Sequence, residues 1–273
     1  KTIDIDEYRE QLAYRQGRGE RIRYFFQNKA RTSGGTKRVV FAEGEEQKII
    51  RAAYHVQDEG IATPVLIGNC QVVENEVKQL GLDFKPEVVN PAKNFNLEVY
   101  AKAFYELRHR KGMTLREARK LVCDPNVLGL MMVRMGDADA FISGLTYNYP
   151  EVIRPALEIH HTAKGVSRAA GVYIVIIDDR VYLFTDATMN IDPSAEDLAD
   201  IAALAADYAM KLEIEPKVAF LSFSNFGSTP HPLSEKVRKA VELVKARRPD
   251  LKADGEMQAD TAVAAEIIEE RYP

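Results

Sequence analysis

Ala138-Asp139-Ala140-Phe141-Ile142-Ser143-Gly144-Leu145-Thr146-Tyr147-Asn148-Tyr149-Pro150-Glu151-Val152-Ile153-Arg154-Pro155-Ala156-Leu157 is the stretch that decides the fold. It reads as a buried strand over 138–142, a loop of small residues, and a helix whose early turns carry an arginine. Strand, loop and helix in that order form the half-unit of a parallel α/β sheet. The same order has a chemical consequence. Gly144 lets backbone approach a ligand closely, the orphan N–H groups of a helix start favour negative charge, and Arg154 adds a permanent cation with a planar donor fork. The stretch is a candidate anion site. Taken alone, it is equally an ordinary strand-to-helix turn with a surface arginine.

Toward the N-terminus the pattern repeats. Lys37-Arg38-Val39-Val40-Phe41 is a short apolar run after the Gly34-Gly35 turn, and Gly44 to Ala53 has helical spacing with acids in its first turn. A strand around Pro64–Ile67, a helix around Glu74–Leu80, a strand around Pro86–Asn90 and helical stretches over Asn96–Arg110 and Thr114–Val122 follow. Toward the C-terminus, Gly171–Ile177 and Val181–Thr185 flank Asp178-Asp179-Arg180 as an antiparallel hairpin. Ser194 caps a helix running through an alanine-rich segment to Met210, Val218–Leu221 is a buried strand, and Ser222–Thr229 is a small polar loop before a helix over Pro232–Arg248. That loop is a second candidate for facing phosphate. The alanine face around Ile201–Ala206 suits a core and a subunit interface equally.

The expected class is therefore α/β: two three-layer lobes with mainly parallel sheets and a cleft between the domains. Residues 1–36 form a helical connector, 37–166 the first domain and 167–273 the second. Ligands of such sheets sit at the carboxyl ends of the strands, which is where the Ser143 loop lies.

Composition narrows the function. The 273 residues are 46% apolar with a net charge of -4, enough for substantial cores and without the basic footprint of a nucleic-acid binder. No apolar run reaches the length of a membrane span, and Lys1-Thr2-Ile3-Asp4 is no signal peptide, so a cytoplasmic location is expected. Cys70 and Cys123 are isolated in apolar contexts and read as buried free thiols. His160-His161 reads as a structural helix end, and Asp254-Gly255-Glu256 with Asp260 as a turn before a helix, not as a metal loop. Tyr147 and Tyr149 suit stacking on adenine or a subunit contact. No residue is assigned to metal binding.

Several motifs in one order carry more. Phe41-Ala42-Glu43-Gly44, Leu107-Arg108-His109-Arg110-Lys111-Gly112-Met113-Thr114, Ile153-Arg154-Pro155-Ala156-Leu157, Phe184-Thr185-Asp186 with Asn190-Ile191-Asp192-Pro193, Ser222-Phe223-Ser224 and Asp254-Gly255-Glu256 resemble the phosphate acetyltransferase (phosphotransacetylase) family from about Lys37 onward. Phe41–Glu46, the Gly144–Pro150 loop and Asp254–Asp260 are most similar to the version fused to the carboxyl end of large bacterial malic enzymes. Residues 5–31 resemble the helical connector that follows a malic enzyme's dehydrogenase domain.

The resemblance implies acetyl-CoA or CoA as ligand. It places Arg108 and Arg154 at the acyl-phosphate and CoA end of the site, with Ser143, Gly144, Thr146, Ser224, Gly227 and Ser228 as ligand-loop contacts. It implies that active transferases carry a serine-arginine pair and an acid in a terminal segment that would lie beyond Pro273, so no catalytic residue is assigned within these 273. A parent malic enzyme would decarboxylate malate with NAD(P) and a divalent metal held in its dehydrogenase domain, outside these residues, and would assemble as a homo-oligomer. Three functions follow: an acetyl-CoA-binding regulatory and oligomerisation module of such an enzyme, an active phosphate acetyltransferase, or a dimerisation module with a vestigial pocket.

Overall fold

A computed structural model describes residue 8 and residues 18–32, 37–93, 96–177 and 180–272. Helix α1 (Arg18–Thr32) precedes a four-stranded parallel sheet of β1 (Arg38–Phe41), β2 (Thr63–Ile67), β3 (Glu87–Val89) and β4 (Ala140–Ile142), in the order β3-β2-β1-β4. The intervening helices are α2 (Gln47–Asp58), α3 (Cys70–Gln79), α4 (Leu97–Arg108), α5 (Leu115–Leu121) and α6 (Pro125–Met135), and α7 (Tyr149–His160) follows β4. The Gly34-Gly35 turn, the start of the connector and the Asp178-Asp179 turn lie outside the described residues.

Alternation along the strands builds three layers. Val40, Val65 and Ile67 point to one face, where α4 to α7 supply Phe104, Ala118, Leu128, Met131 and Ile159. Their neighbours Phe41 and Leu66 point to the other, where α2 and α3 supply Ile50, Ala53, Val73 and Val77. Each buried Val, Leu, Ile, Met or Phe among them contributes roughly 1.5–3 kcal/mol of hydrophobic stabilisation. Helix starts are capped locally: Asn69 accepts from Gln71 N–H, Thr114 and Glu117 form a reciprocal box, and Asp124 accepts from the N–H groups of Asn126 and Val127 behind Pro125.

The chain divides into two units, Lys1–His161 and Thr162–Pro273, a few residues before the 166/167 boundary, because α7 ends at His160 and His161 leaves helical geometry at φ 58°. The second unit holds the antiparallel hairpin β5 (Tyr173–Ile177) and β6 (Arg180–Phe184), then α8 (Ala195–Lys211), β7 (Lys217–Leu221), α9 (Pro232–Arg247), β8 (Lys252–Met257), α10 (Ala259–Val263) and α11 (Ala265–Arg271). Strands β7 and β8 pair in parallel, and Phe220 and Ala253 face α8 and α9. The alanine stripe Ala195, Ala199, Ala202 and Ala206 is core, letting α8 lie close to α9.

Several readings of the sequence change. Strands β4 and β7, expected to be buried, leave Ala140 and Ile142 and then Ala219 and Leu221 exposed. Helix α6 stands where none was expected, because Val127, Leu128, Leu130, Met131 and Met132 are all buried and leave no polar stripe to reveal a period. Asp254-Gly255-Glu256 lies inside strand β8 and is not a turn. Cys70 and Cys123 are exposed: Cys70 opens α3 while Val73 and Val77 face the core, and Cys123 sits in the turn after α5 with its thiol against the Arg119 carbonyl. Among the described residues, no helix is long and apolar enough to cross a membrane.

Candidate functional site

The Ser143 loop does bind an anion, and that anion is the chain's own. Strand pairing continues one step past β1 through Ala42 N–H to the Ile142 carbonyl (3.1 Å), which delivers the next side chain, Glu43, beside the loop after β4. Glu43 is 7% exposed. Its Oε2 accepts from the N–H groups of Gly144 (3.0 Å) and Leu145 (3.1 Å), and its Oε1 from the N–H and the hydroxyl (2.8 Å) of Thr146. Burial pushes this carboxyl up, yet the donations from Thr146, Leu145 and Gly144 outweigh it and hold it below the usual glutamate range. Gly44, next in sequence, lies so close to β2 that a Cβ there would meet the Ile67 carbonyl at 2.7 Å. The Ser143 hydroxyl donates to Asn126 Oδ1 (2.6 Å), a side chain buried in α6. At the start of α7, Asn148 N–H donates to Glu151 Oε2 (2.7 Å).

The second loop is built the same way. Glu256, fully buried in β8, takes Gly227 N–H (2.7 Å), the Ser224 hydroxyl (3.2 Å) and the Arg238 guanidinium (3.1 and 3.2 Å). Burial raises this carboxyl; Arg238, Gly227 and Ser224 bring it below the ordinary value. Ser228 Oγ accepts from Asn225 N–H (3.0 Å), and Ser224 Oγ from Thr229 N–H (3.1 Å). A third carboxylate, Asp186, gathers the N–H groups of Thr188, Met189 and Asn190 with the Asn190 amide and so shapes the Thr185–Asn190 turn.

The cations gather elsewhere in the first unit. Arg108, the last residue of α4, turns inward with its side chain 17% exposed and reaches Glu158 Oε1 at 3.3 Å. Arg154, one turn earlier than Glu158 on α7 and 80% exposed, reaches the same oxygen at 3.2 Å. Two guanidinium groups share one carboxylate oxygen, leaving one net positive charge. The Arg154 contact has the i,i+4 spacing of a helix surface pair, whereas the contact of Glu158 with Arg108, from another helix, has no local signal in the sequence. Burial pushes the Tyr147 phenol up, reinforced by Asp124, Glu43 and Glu151. The His160 ring meets the Leu130 carbonyl at 3.0 Å and ties α7 to α6. An open groove of about 600 Å³ beside the loop is lined by Glu45, Glu46, Gln47, Lys48, Glu76, Leu145 and Thr146, an acid-rich wall that disfavours anions, and neither arginine lines it.

Comparison with known proteins agrees with this architecture. The family model described as phosphate acetyl/butaryl transferase matches residues 23–273. A phosphate acetyltransferase of Clostridium acetobutylicum is 40% identical over 245 residues, 87% of this chain and 74% of that protein. The NADP-dependent malic enzyme of Escherichia coli is 37% identical over 242 residues, 87% of this chain and 32% of that enzyme. A crystal structure of a phosphotransacetylase from Streptococcus pyogenes superposes with a TM-score of 0.83 at 36% identity, covering 92% of this chain and 78% of that one. With its parallel sheet, its carboxylate-held loops and a family match over nearly its whole length, the chain belongs to the phosphate acetyl/butaryl transferase family.

Proposed function

We propose that this phosphotransacetylase-type domain binds acetyl-CoA as a regulatory and oligomerisation module of an NADP-dependent malic enzyme. The observation that carries the reading is the convergence of Arg108 and Arg154, from two helices, on one carboxylate oxygen. A phosphate-bearing thioester needs such a cation pair, and a planar guanidinium fork matches phosphate oxygens. The loop residues act one step back. Ser143, Gly144 and Thr146 fix the entry to α7 and hence the base of Arg154, while Ser224, Gly227 and Ser228 shape the corresponding loop of the second unit. The donors of Gly144 and Thr146 serve Glu43, those of Ser224 and Gly227 serve Glu256, and the Ser143 hydroxyl serves Asn126, so they are not offered as an oxyanion hole, which favours binding over transfer. The malic-enzyme setting rests on the Escherichia coli relative and on the loop motifs; the NAD(P) and metal chemistry would belong to a dehydrogenase domain.

The second reading is an active phosphate acetyltransferase, favoured by the 40% identity to the Clostridium acetobutylicum protein. Calorimetry and a thiol-release assay decide between them. Acetyl-CoA should bind wild type and lose roughly tenfold or more in affinity with Arg154→Ala or Arg108→Ala, about 1.4 kcal/mol or above. Equal heats from all three proteins remove the arginines from the site. Rapid acyl exchange between acetyl phosphate and CoA by the isolated chain would replace the regulatory reading with the catalytic one.

A further inference from the structure

We infer that Glu158 is a built-in competitor for the anion that Arg108 and Arg154 receive, so that this one carboxylate sets how tightly the site holds its ligand. The inference rests on the reading of the two arginines as the anion-binding pair. Glu158 Oε1 meets Arg108 at 3.3 Å and Arg154 at 3.2 Å, so a single oxygen stands where a phosphate oxygen would be expected to stand. The two contacts differ in kind. Arg108 and Glu158 are 17% and 24% exposed, a partly sheltered pair, whereas Arg154 is 80% exposed and joined to Glu158 by an i,i+4 contact on the helix surface. Exposed pairs of that type are weak and exchange readily. An incoming phosphate dianion therefore takes Arg154 first and then contends with Glu158 for Arg108.

This makes the sign of a mutation informative. A residue that merely props up the arginines weakens ligand binding when it is removed. A competitor strengthens binding when its charge is removed, because the ligand no longer displaces or opposes a carboxylate. Glu158→Gln keeps the shape and deletes the charge.

The test is calorimetry of inorganic pyrophosphate and, separately, acetyl-CoA, with wild type, Glu158→Gln, Arg108→Ala and the double variant Arg108→Ala/Glu158→Gln. Circular dichroism and the urea midpoint serve as folding controls. Glu158→Gln is expected to bind pyrophosphate about fivefold more tightly than wild type, with the gain shrinking as salt is raised and falling away when the same change is made in the Arg108→Ala background. Glu158→Ala provides a second variant with the same expected sign, should the glutamine protein fold poorly. Affinity equal to or below wild type, a gain undiminished by loss of Arg108, or no measurable pyrophosphate binding by any of the proteins overturns the inference. If pyrophosphate behaves as expected while acetyl-CoA binds neither wild type nor Glu158→Gln, the thioester reading falls and the competitor stands. If acetyl-CoA binds both equally and pyrophosphate shows no gain, the reverse holds.

Discussion

The two loops held by Glu43 and Glu256 follow one plan and differ in one charge. Each carboxylate comes from the end of one parallel strand and captures the loop after the neighbouring strand: Glu43 past β1 takes the loop after β4, and Glu256 in β8 takes the loop after β7. Each has a glycine beside it pressed on an adjacent strand, Gly44 against the Ile67 carbonyl and Gly255 against the Phe220 carbonyl, both at 2.7 Å from a would-be Cβ. Among the described residues, the second carboxylate pairs with a cation, Arg238, whereas the donors on Glu43 are all neutral. The first loop is consequently a poor place for a further anion, and under the proposed function Arg108 and Arg154 supply the positive charge that meets one.

Substitutions sharpen the comparison, the glycines most. Gly255→Ala meets the Phe220 backbone and also needs φ near +138°, which a side chain resists, so a loss of about 4 kcal/mol is expected; Gly44→Ala faces crowding alone and should lose about 2 kcal/mol. Urea midpoints followed by circular dichroism, at constant m-value, measure both. A Gly255→Ala chain as stable as Gly44→Ala would mean that the second strand pair yields where the first does not.

The carboxylates come next. Glu256→Ala leaves the buried Ser224 hydroxyl and the part-buried Gly227 N–H without their acceptor and unpairs the half-exposed Arg238, for an expected cost of about 3 kcal/mol, against about 1.5 kcal/mol for Glu43→Ala, whose loop donors lie near solvent and can be hydrated. The reverse order would break the claim that the cation distinguishes the two loops.

The smallest effect is on pH dependence. Both carboxyls lie below their unfolded value of about 4.5 in the folded chain, so their stabilisation is present above that pH and lost as pH falls through the lowered values. Arg238→Ala should raise the Glu256 value and move acid unfolding to higher pH, with no effect on the Glu43 loop. Glu43→Gln should flatten the slope below about pH 4.5 without involving Arg238. An acid midpoint unmoved by Arg238→Ala would show that the neutral donors alone set Glu256.

Much of the fold was legible because it is written locally. The strand cores around Val40, Val65 and Phe220 and the cap at Ser194 are decided by residues within a few positions. Helix α6 was hidden because burial on every side erases the polar stripe that marks a helix, and β8 because its Lys-Ala-Asp-Gly-Glu-Met composition resembles a turn. The loops were recognised as anion-binding, but their occupants were not. Glu43 lies 101 residues from Gly144 and Glu256 lies 29 from Gly227, separations at which only strand pairing, and no motif spacing, brings the groups together. Arg108 illustrates the same limit: its sequence neighbours His109, Arg110 and Lys111 suggest a solvated basic run, yet its partner is on α7.

The account stands or falls on whether an acetyl-CoA phosphate meets the two guanidinium groups. Nε–Hε resonances of Arg108 and Arg154 in a nitrogen-15 labelled chain, assigned with the single alanine variants and followed during acetyl-CoA titration, report on this directly. Both signals should move along one saturation curve, with a common dissociation constant matching calorimetry. Saturable binding that leaves both resonances in place would contradict the account.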